Sequence, residues 1–150
     1  MKKLVALLIG LAWAVCITVA PVNAATTSAV DPVVNVVVDI SSQSMVVKVN
    51  GWPYGWWKVS TAREGYYTPR GHFRPFLLKK IHYSKKFDNA AMPNSIFFHY
   101  GYAIHATGSV RYLGRPASHG CVRLAPANAL KLYNLVQKYG FRATSITIVD

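Results

Sequence analysis

Arg115-Pro116-Ala117-Ser118-His119-Gly120-Cys121-Val122-Arg123-Leu124 lies near the C-terminal end of this 150-residue chain. Residues 118 to 123 gather a hydroxyl, an imidazole, a glycine, a thiol and a guanidinium. Directly after it, residues 125–139 give the one convincing helical pattern beyond the N-terminal leader. Pro126 falls in the first turn, Leu130, Tyr133, Leu135 and Val136 supply an apolar stripe, and Gly140 is placed to end it. Residues 144–149 (TSITIV) are β-branched and close the chain as a strand.

Upstream of the decapeptide the pattern is β. Residues 33–40 (VVNVVVDI) and 45–50 predict two strands, and Asn50-Gly51 is a strong turn signal. Residues 54–61 complete an antiparallel meander of three strands. Residues 62–71 (AREGYYTPRG) hold two glycines and a proline and predict a loop. Residues 72–78 alternate as a strand. Residues 79–94 (KKIHYSKKFDNAAMPN), with four lysines and no clear period, predict a long surface loop of the kind that serves as a lid or binding loop. Residues 95–100 and 102–106 predict a strand pair joined at Gly101. The expected fold is mainly β, one domain with a single late helix before the last strand.

Lys2 and Lys3, the apolar run over residues 4–20, Pro21 and the small residues of Val22-Asn23-Ala24 have the layout of a signal peptide spanning residues 1–24. The run is at the short limit for crossing a bilayer, which leaves an uncleaved anchor as the weaker alternative. Val15 ahead of Cys16 argues against lipid attachment there. Residues 25–32 read as a short tether to a domain over residues 33–150. Removing residues 1–24 takes away Cys16 and leaves Cys121 as the sole thiol of an exported chain, with no partner for an internal disulfide. The formal charge falls from +12 to +10 with the loss of Lys2 and Lys3. That balance favours anionic partners, which outside the cell membrane are wall polymers and lipid head groups. Nucleic acid is disfavoured, since the basic residues are scattered and no binding motif accompanies them. Trp52, Trp56, Trp57 and the tyrosines suit either a carbohydrate or peptide groove or a β core.

A cysteine attacks as its thiolate, and a neighbouring imidazole can take the proton and hold the anion. His105, at the end of a predicted strand sixteen residues earlier, can face Cys121 across a loop. His119 is two residues from Cys121 on expected extended chain, where such side chains run parallel about 6.5–7 Å apart. That separation exceeds a direct hydrogen bond. Gly120 permits close approach of the backbone, and the amides of residues 119–121 can form an oxyanion hole. Arg123 suits bidentate binding of a carboxylate, and Ser118 either orients an imidazole or caps a turn. Chemistry alone leaves three readings open. Cys121 is a nucleophile with His105 as base, or a buried structural thiol beside a satisfied core histidine, or part of a zinc site with His105 and His119. The zinc reading lacks the paired spacing of specific metal motifs. His72, His82 and His99 show no spacing that ties them to the cluster.

Ser118-His119-Gly120-Cys121-Val122-Arg123-Leu124, with Ala103-Ile104-His105 upstream, resembles the signature of the L,D-transpeptidase catalytic domain (YkuD-like) family. Val38-Asp39 with Gln43, Val59-Ser60-Thr61, Thr68-Pro69-Arg70-Gly71-His72-Phe73, and Met92-Pro93 before Phe97-Phe98 follow in the family's order. The resemblance covers residues 33–150. It implies a β-sandwich-like catalytic fold, no cofactor or metal, and peptidoglycan stem peptides as substrate. It implies Cys121 as nucleophile and His105 as general base and acid. By similarity the carbonyl of the third stem residue is attacked and the terminal D-alanine leaves. The thioester then passes to an amine of another stem or of an acceptor protein such as a lipoprotein. Arg123 and Ser118 match positions of the acyl-donor site, and His119 and Gly120 lend backbone to the oxyanion region. Two positions depart from the family pattern. Ala106 replaces a frequent glycine, which is tolerable if its carbonyl orients His105, and Ala62 replaces a common glycine in a turn.

The expected function is an exported, periplasmic or cell-envelope L,D-transpeptidase. Water in place of the amine makes the same site a murein L,D-carboxypeptidase or endopeptidase. A non-catalytic wall-binding protein on the same fold is disfavoured because His105, Cys121 and Arg123 are all present. The membrane enters only through an uncleaved leader.

Overall fold

Valines at alternate positions build the first sheet. In β1 (Val34–Asp39), Val34, Val36 and Val38 turn to one face and are fully buried. β2 (Ser44–Val49) pairs with it antiparallel and adds Met45 and Val47 to that face. Asn50 and Gly51, at φ 51° and 80°, make the tight turn into β3 (Trp52–Lys58), as two left-handed residues in a hairpin must. This computed structural model describes residues 32–150. The expected signal peptide over residues 1–24 and all but the last residue of the expected tether lie outside the described residues.

The remaining strands are β4 (Gly71–Phe73), β5 (Leu77–Ser84), β6 (Ala90–His99), β7 (Tyr102–Ala106), β8 (Val122–Leu124) and β9 (Thr144–Val149). β9 lies parallel to β1 and antiparallel to β4, giving a five-stranded sheet in the order β3-β2-β1-β9-β4. The second sheet has the order β5-β6-β7-β8, antiparallel except for the β7–β8 pair. The helix α1 (Pro126–Tyr139) joins β8 to β9 and packs on β6, β7 and β1. One core contains Val36, Met45, Ile96, Ile104, Leu124, Leu132 and Ile146, drawn from both sheets and the helix. Burying each such side chain stabilises the fold by about 1.5–3 kcal/mol relative to leaving it in water. No described helix is long and apolar enough to cross a membrane.

The meander, the helix and the last strand form where the pattern places them. Four expectations are corrected. Residues 72–78 are not one strand: β4 belongs to the first sheet and β5 to the second, and Pro75, lacking an N–H, falls between them. Residues 79–94 are not a loop but most of a β5–β6 hairpin, pairing Leu78 with Ile96 and His82 with Met92. Its turn carries Asp88 and Asn89 at φ 48° and 52°. β5 buries no residue fully, so no alternation of apolar side chains marks it. On α1 the fully buried residues are Ala129, Leu132 and Val136, while Leu130 is exposed and Tyr133 and Leu135 are partly buried. Residues 119–121 are bent rather than extended, with Gly120 at φ 127°.

Candidate active site

β7 and β8 set the geometry. Their parallel register pairs Ile104 with Val122, His105 with Arg123 and Ala106 with Leu124. Side chains alternate along a strand, so Ile104, Ala106, Val122 and Leu124 enter the core and His105 and Arg123 share the opposite face. Cys121, one residue before β8, packs on that face against Met92, Phe97 and Ala103. His105 and Cys121 both line one cavity of ≈ 280 Å³. Ser118, His119 and Arg123 line it too. The decapeptide and its upstream histidine therefore meet in one place.

His105 is 6 % exposed, and its Nδ1 lies 2.7 Å from the carbonyl oxygen of Ala106. A carbonyl only accepts, so Nδ1 carries the hydrogen. In the neutral ring Nε2 is then the free lone pair, which is the form a general base needs. Burial pushes the imidazole from its usual 6.5 to about 4; the Ala106 carbonyl opposes this, and the charges of Arg123 and His82 add to it. Burial pushes the Cys121 thiol up, while the Ala103 backbone N–H and the Arg123 charge pull it down. The resting pair is accordingly a neutral thiol with a neutral imidazole. The methyl of Ala106 is buried in the core and leaves its carbonyl free to hold His105.

Ser118 does not touch an imidazole; it caps the turn. Its hydroxyl donates to the Cys121 carbonyl at 2.7 Å and accepts from the Gly120 N–H at 2.9 Å. The Gly120 amide is thus already engaged, and the donors left on this segment are the N–H groups of His119 and Cys121. Gly120 is required by the fold itself. A Cβ there would lie 2.6 Å from the Tyr102 ring and 2.7 Å from the Tyr67 carbonyl, at a φ that L residues rarely adopt. The Thr68 hydroxyl donates to the Gly120 carbonyl at 2.9 Å and accepts from the Ala62 N–H, which ties the 62–70 loop to the bend. Ala62 fits that turn with its methyl group.

The His119 ring is held in an aromatic stack at the cavity rim. It stacks on Phe87 at 4.3 Å and 10°, with Tyr66 against it at 4.6 Å. It bridges the 62–70 loop and the hairpin turn. Arg123 is half-buried and donates through Nη1 to the Ala117 carbonyl at 3.1 Å, so its cation is held beside both Cys121 and His105. No group of three His, Cys, Asp or Glu among the described residues converges to hold a metal.

Sequence reasoning missed the other walls. His82, Ser84, Phe87, Ala90 and Met92 reach the cavity from the hairpin that was expected to be a loop. His82 also acts on the His105 charge. Gln43 is a buried support: it donates to the Thr61 hydroxyl at 2.6 Å and accepts from the Thr61 N–H at 2.8 Å, which fixes the chain beside the Ser60–Arg123 bridge. Gln43 and Met92 enter the sequence reading only through the family pattern, and the Thr61 partner that gives Gln43 its supporting role lies 18 positions away.

A thiol and an imidazole sharing a cavity on a two-sheet β fold define a candidate site for acyl transfer through sulfur. The chain belongs to the L,D-transpeptidase catalytic domain family, whose model matches residues 34–148. Its fold is similar to an L,D-transpeptidase from Mycobacterium tuberculosis H37Rv, at 20% identity and TM-score 0.72 over 79% of this chain and 58% of that one. An L,D-transpeptidase from Stackebrandtia nassauensis is 27% identical, with TM-score 0.68 over 84% of this chain and 60% of that one. L,D-transpeptidase 3 from Mycobacterium tuberculosis, in complex with a faropenem-derived adduct, is 20% identical, with TM-score 0.69 over 79% and 61%. The chain spans about six tenths of the length of these structures. No curated protein matches it.

Proposed function

We propose that this chain is a peptidoglycan L,D-transpeptidase of the cell envelope, with Cys121 as nucleophile and His105 as general base and acid. The observation that carries this is the Nδ1–Ala106 hydrogen bond, which leaves Nε2 of His105 as a base in the cavity that holds Cys121. The thiol gives its proton to Nε2 as sulfur bonds to the carbonyl carbon of the donor peptide. In this reading the His119 and Cys121 N–H groups stabilise the oxyanion. His105 then protonates the departing amine as the C–N bond breaks, leaving a thioester. An acceptor amine attacks the thioester, gives its proton to His105, and the thiol is restored as the C–S bond breaks.

Intact-protein mass spectrometry after incubation with a disaccharide-tetrapeptide tests the reading. The expected result is an adduct of the donor minus its terminal residue on wild type and none on Cys121→Ala. Cross-linked dimers among the products identify transfer, whereas trimmed monomers alone identify a hydrolase. Faropenem, whose adduct is seen in the Mycobacterium tuberculosis enzyme, serves as a second acylating probe. A folded wild-type protein that accepts neither reagent defeats the proposal.

A further inference from the structure

Beside the cavity lies a second hollow of ≈ 430 Å³, and the two share Ser109 and Arg123. Its other walls are Arg63, Tyr112, Arg115, Pro116 and Ala117. Three arginines therefore line one depression, with no acidic residue among its walls. A fourth, Arg111, stands behind it: Arg111 and Arg115 hold their guanidinium carbons 4.8 and 4.7 Å from the centre of the Tyr112 ring. The one ion pair among the described residues joins Arg70 to Asp150. None of these four arginines is ion-paired within those residues. The charge of Arg63 reaches Arg123: burial first, and the charge of Arg63 with it, push the Arg123 guanidinium below its usual value, against the pull of Cys121.

Like charges gathered without a partner repel, and the backbone under them is held firmly enough to keep them there. The Ser60 hydroxyl donates to the Arg115 carbonyl at 2.8 Å, and the N–H groups of Ala117 and Ser118 both donate to the Thr61 carbonyl. The Arg63 N–H donates to the Ser118 carbonyl at 3.0 Å. The site is thus built in advance of any ligand.

We propose that this hollow is an anion subsite that receives a carboxylate of a peptide reacting at Cys121. A carboxylate presents two oxygens in a plane, which matches the fork of a guanidinium. Because Arg123 and Ser109 form the wall between hollow and cavity, the carboxylate and the reacting carbonyl or amine belong to one bound peptide. The inference rests on the transpeptidase reading for the peptide, and on the arginines alone for the anion. The carboxylate comes from either the acyl donor or the acceptor.

The test uses Arg63→Gln, Arg115→Gln and the double variant, leaving Arg123 in place; Arg63 and Arg115 are exposed, so the fold survives their loss. In a Cys121→Ala background, calorimetry compares a stem tetrapeptide with its fully amidated form. The free-carboxylate peptide is expected to bind at least tenfold tighter than the amide. The double variant is expected to erase that difference and leave the amide unchanged. Equal affinities in the parent, or a difference that persists in the double variant, overturns a donor subsite. The same comparison with an acceptor peptide on the faropenem-acylated protein covers the other source, and failure in both arms ends the proposal. The two readings fail separately. A thioester without carboxylate selectivity removes the subsite alone, and carboxylate selectivity without a thioester removes the transpeptidase reading alone.

Discussion

On one face of the β7–β8 pair, Ile104, Ala106, Val122 and Leu124 sink into the core beside Leu132 and Ile146. On the other, Ala103, His105, Cys121 and Arg123 turn to the cavity side. Both faces come from the same few residues and differ only by the alternation of a strand. The aliphatic face sets the register, since a slip of one residue would bury Arg123 and expose Leu124. The polar face inherits its geometry from that choice. His105, a buried imidazole held near 4, is a cost that the aliphatic face offsets.

His105→Gln probes the cavity face where the effect is largest. Removing the proposed base is expected to slow thioester formation by about 10²–10⁴-fold in stopped-flow mass spectrometry, the range a general base supplies. The melting temperature is expected to move far less than in the core-face counterpart, Leu124→Ala. That substitution deletes a side chain with no exposed surface and is expected to cost about 2–5 kcal/mol of unfolding free energy in urea titrations. A His105→Gln protein that unfolds as readily as Leu124→Ala removes the division of labour between the faces.

Acid titrates the cavity face while leaving the core face untouched. The unfolded imidazole binds its proton near 6.5 and the folded one only near 4, so the unfolded chain holds more protons between those values. Stability is therefore present above pH 6.5 and is lost as pH falls through 4. The loss attributable to His105 is on the order of 3 kcal/mol from a shift of this size. It is measured as the difference in pH dependence between wild type and His105→Gln, which cancels the carboxylates and His119. The acid limb of kcat/KM is expected near 4 rather than near 6.5, because the base stays unprotonated down to that pH.

The smallest effect concerns the cavity rim. Phe87→Ala releases the His119 ring from its stack, with an expected loss of about 0.5–1.5 kcal/mol. Proton NMR is expected to show the His119 ring resonances moving downfield and its titration shifting upward, since burial holds that imidazole down.

How much of this was readable beforehand varies along the chain. Val34 to Val49 could be placed from alternation and from Asn50-Gly51, because the first strand has one wholly buried face, the second a mostly buried one, and the turn has φ values that few other residues accept. The helix was bounded by Pro126 and Gly140 for similarly local reasons, although its buried stripe runs through Ala129 and Leu132 rather than Leu130. The β5–β6 hairpin was not readable. Its outer half projects with both faces largely solvated, so neither period nor composition separates it from a loop. With it went the cavity positions of His82, Phe87 and Met92, 39, 34 and 29 residues before Cys121 in the chain. Ser118 could be singled out but not assigned, since its two hydrogen bonds depend on the bend at Gly120.

Local chemistry alone was enough for the family signature, the β character, the late helix and the singling out of His105 and Cys121. Those features rest on short-range rules: alternation, turn φ angles, capping residues, and the presence of a thiol beside a glycine. Folding in three dimensions added the parallel β7–β8 register that sets His105 and Cys121 on one face, and the Ala106 carbonyl that selects the imidazole tautomer. It also set His119 in an aromatic stack at the cavity rim and gathered Arg63, Arg115 and Arg123 around one hollow. Each of these depends on contacts between residues far apart in the chain, whose energies appear only once the core has fixed the strands against one another.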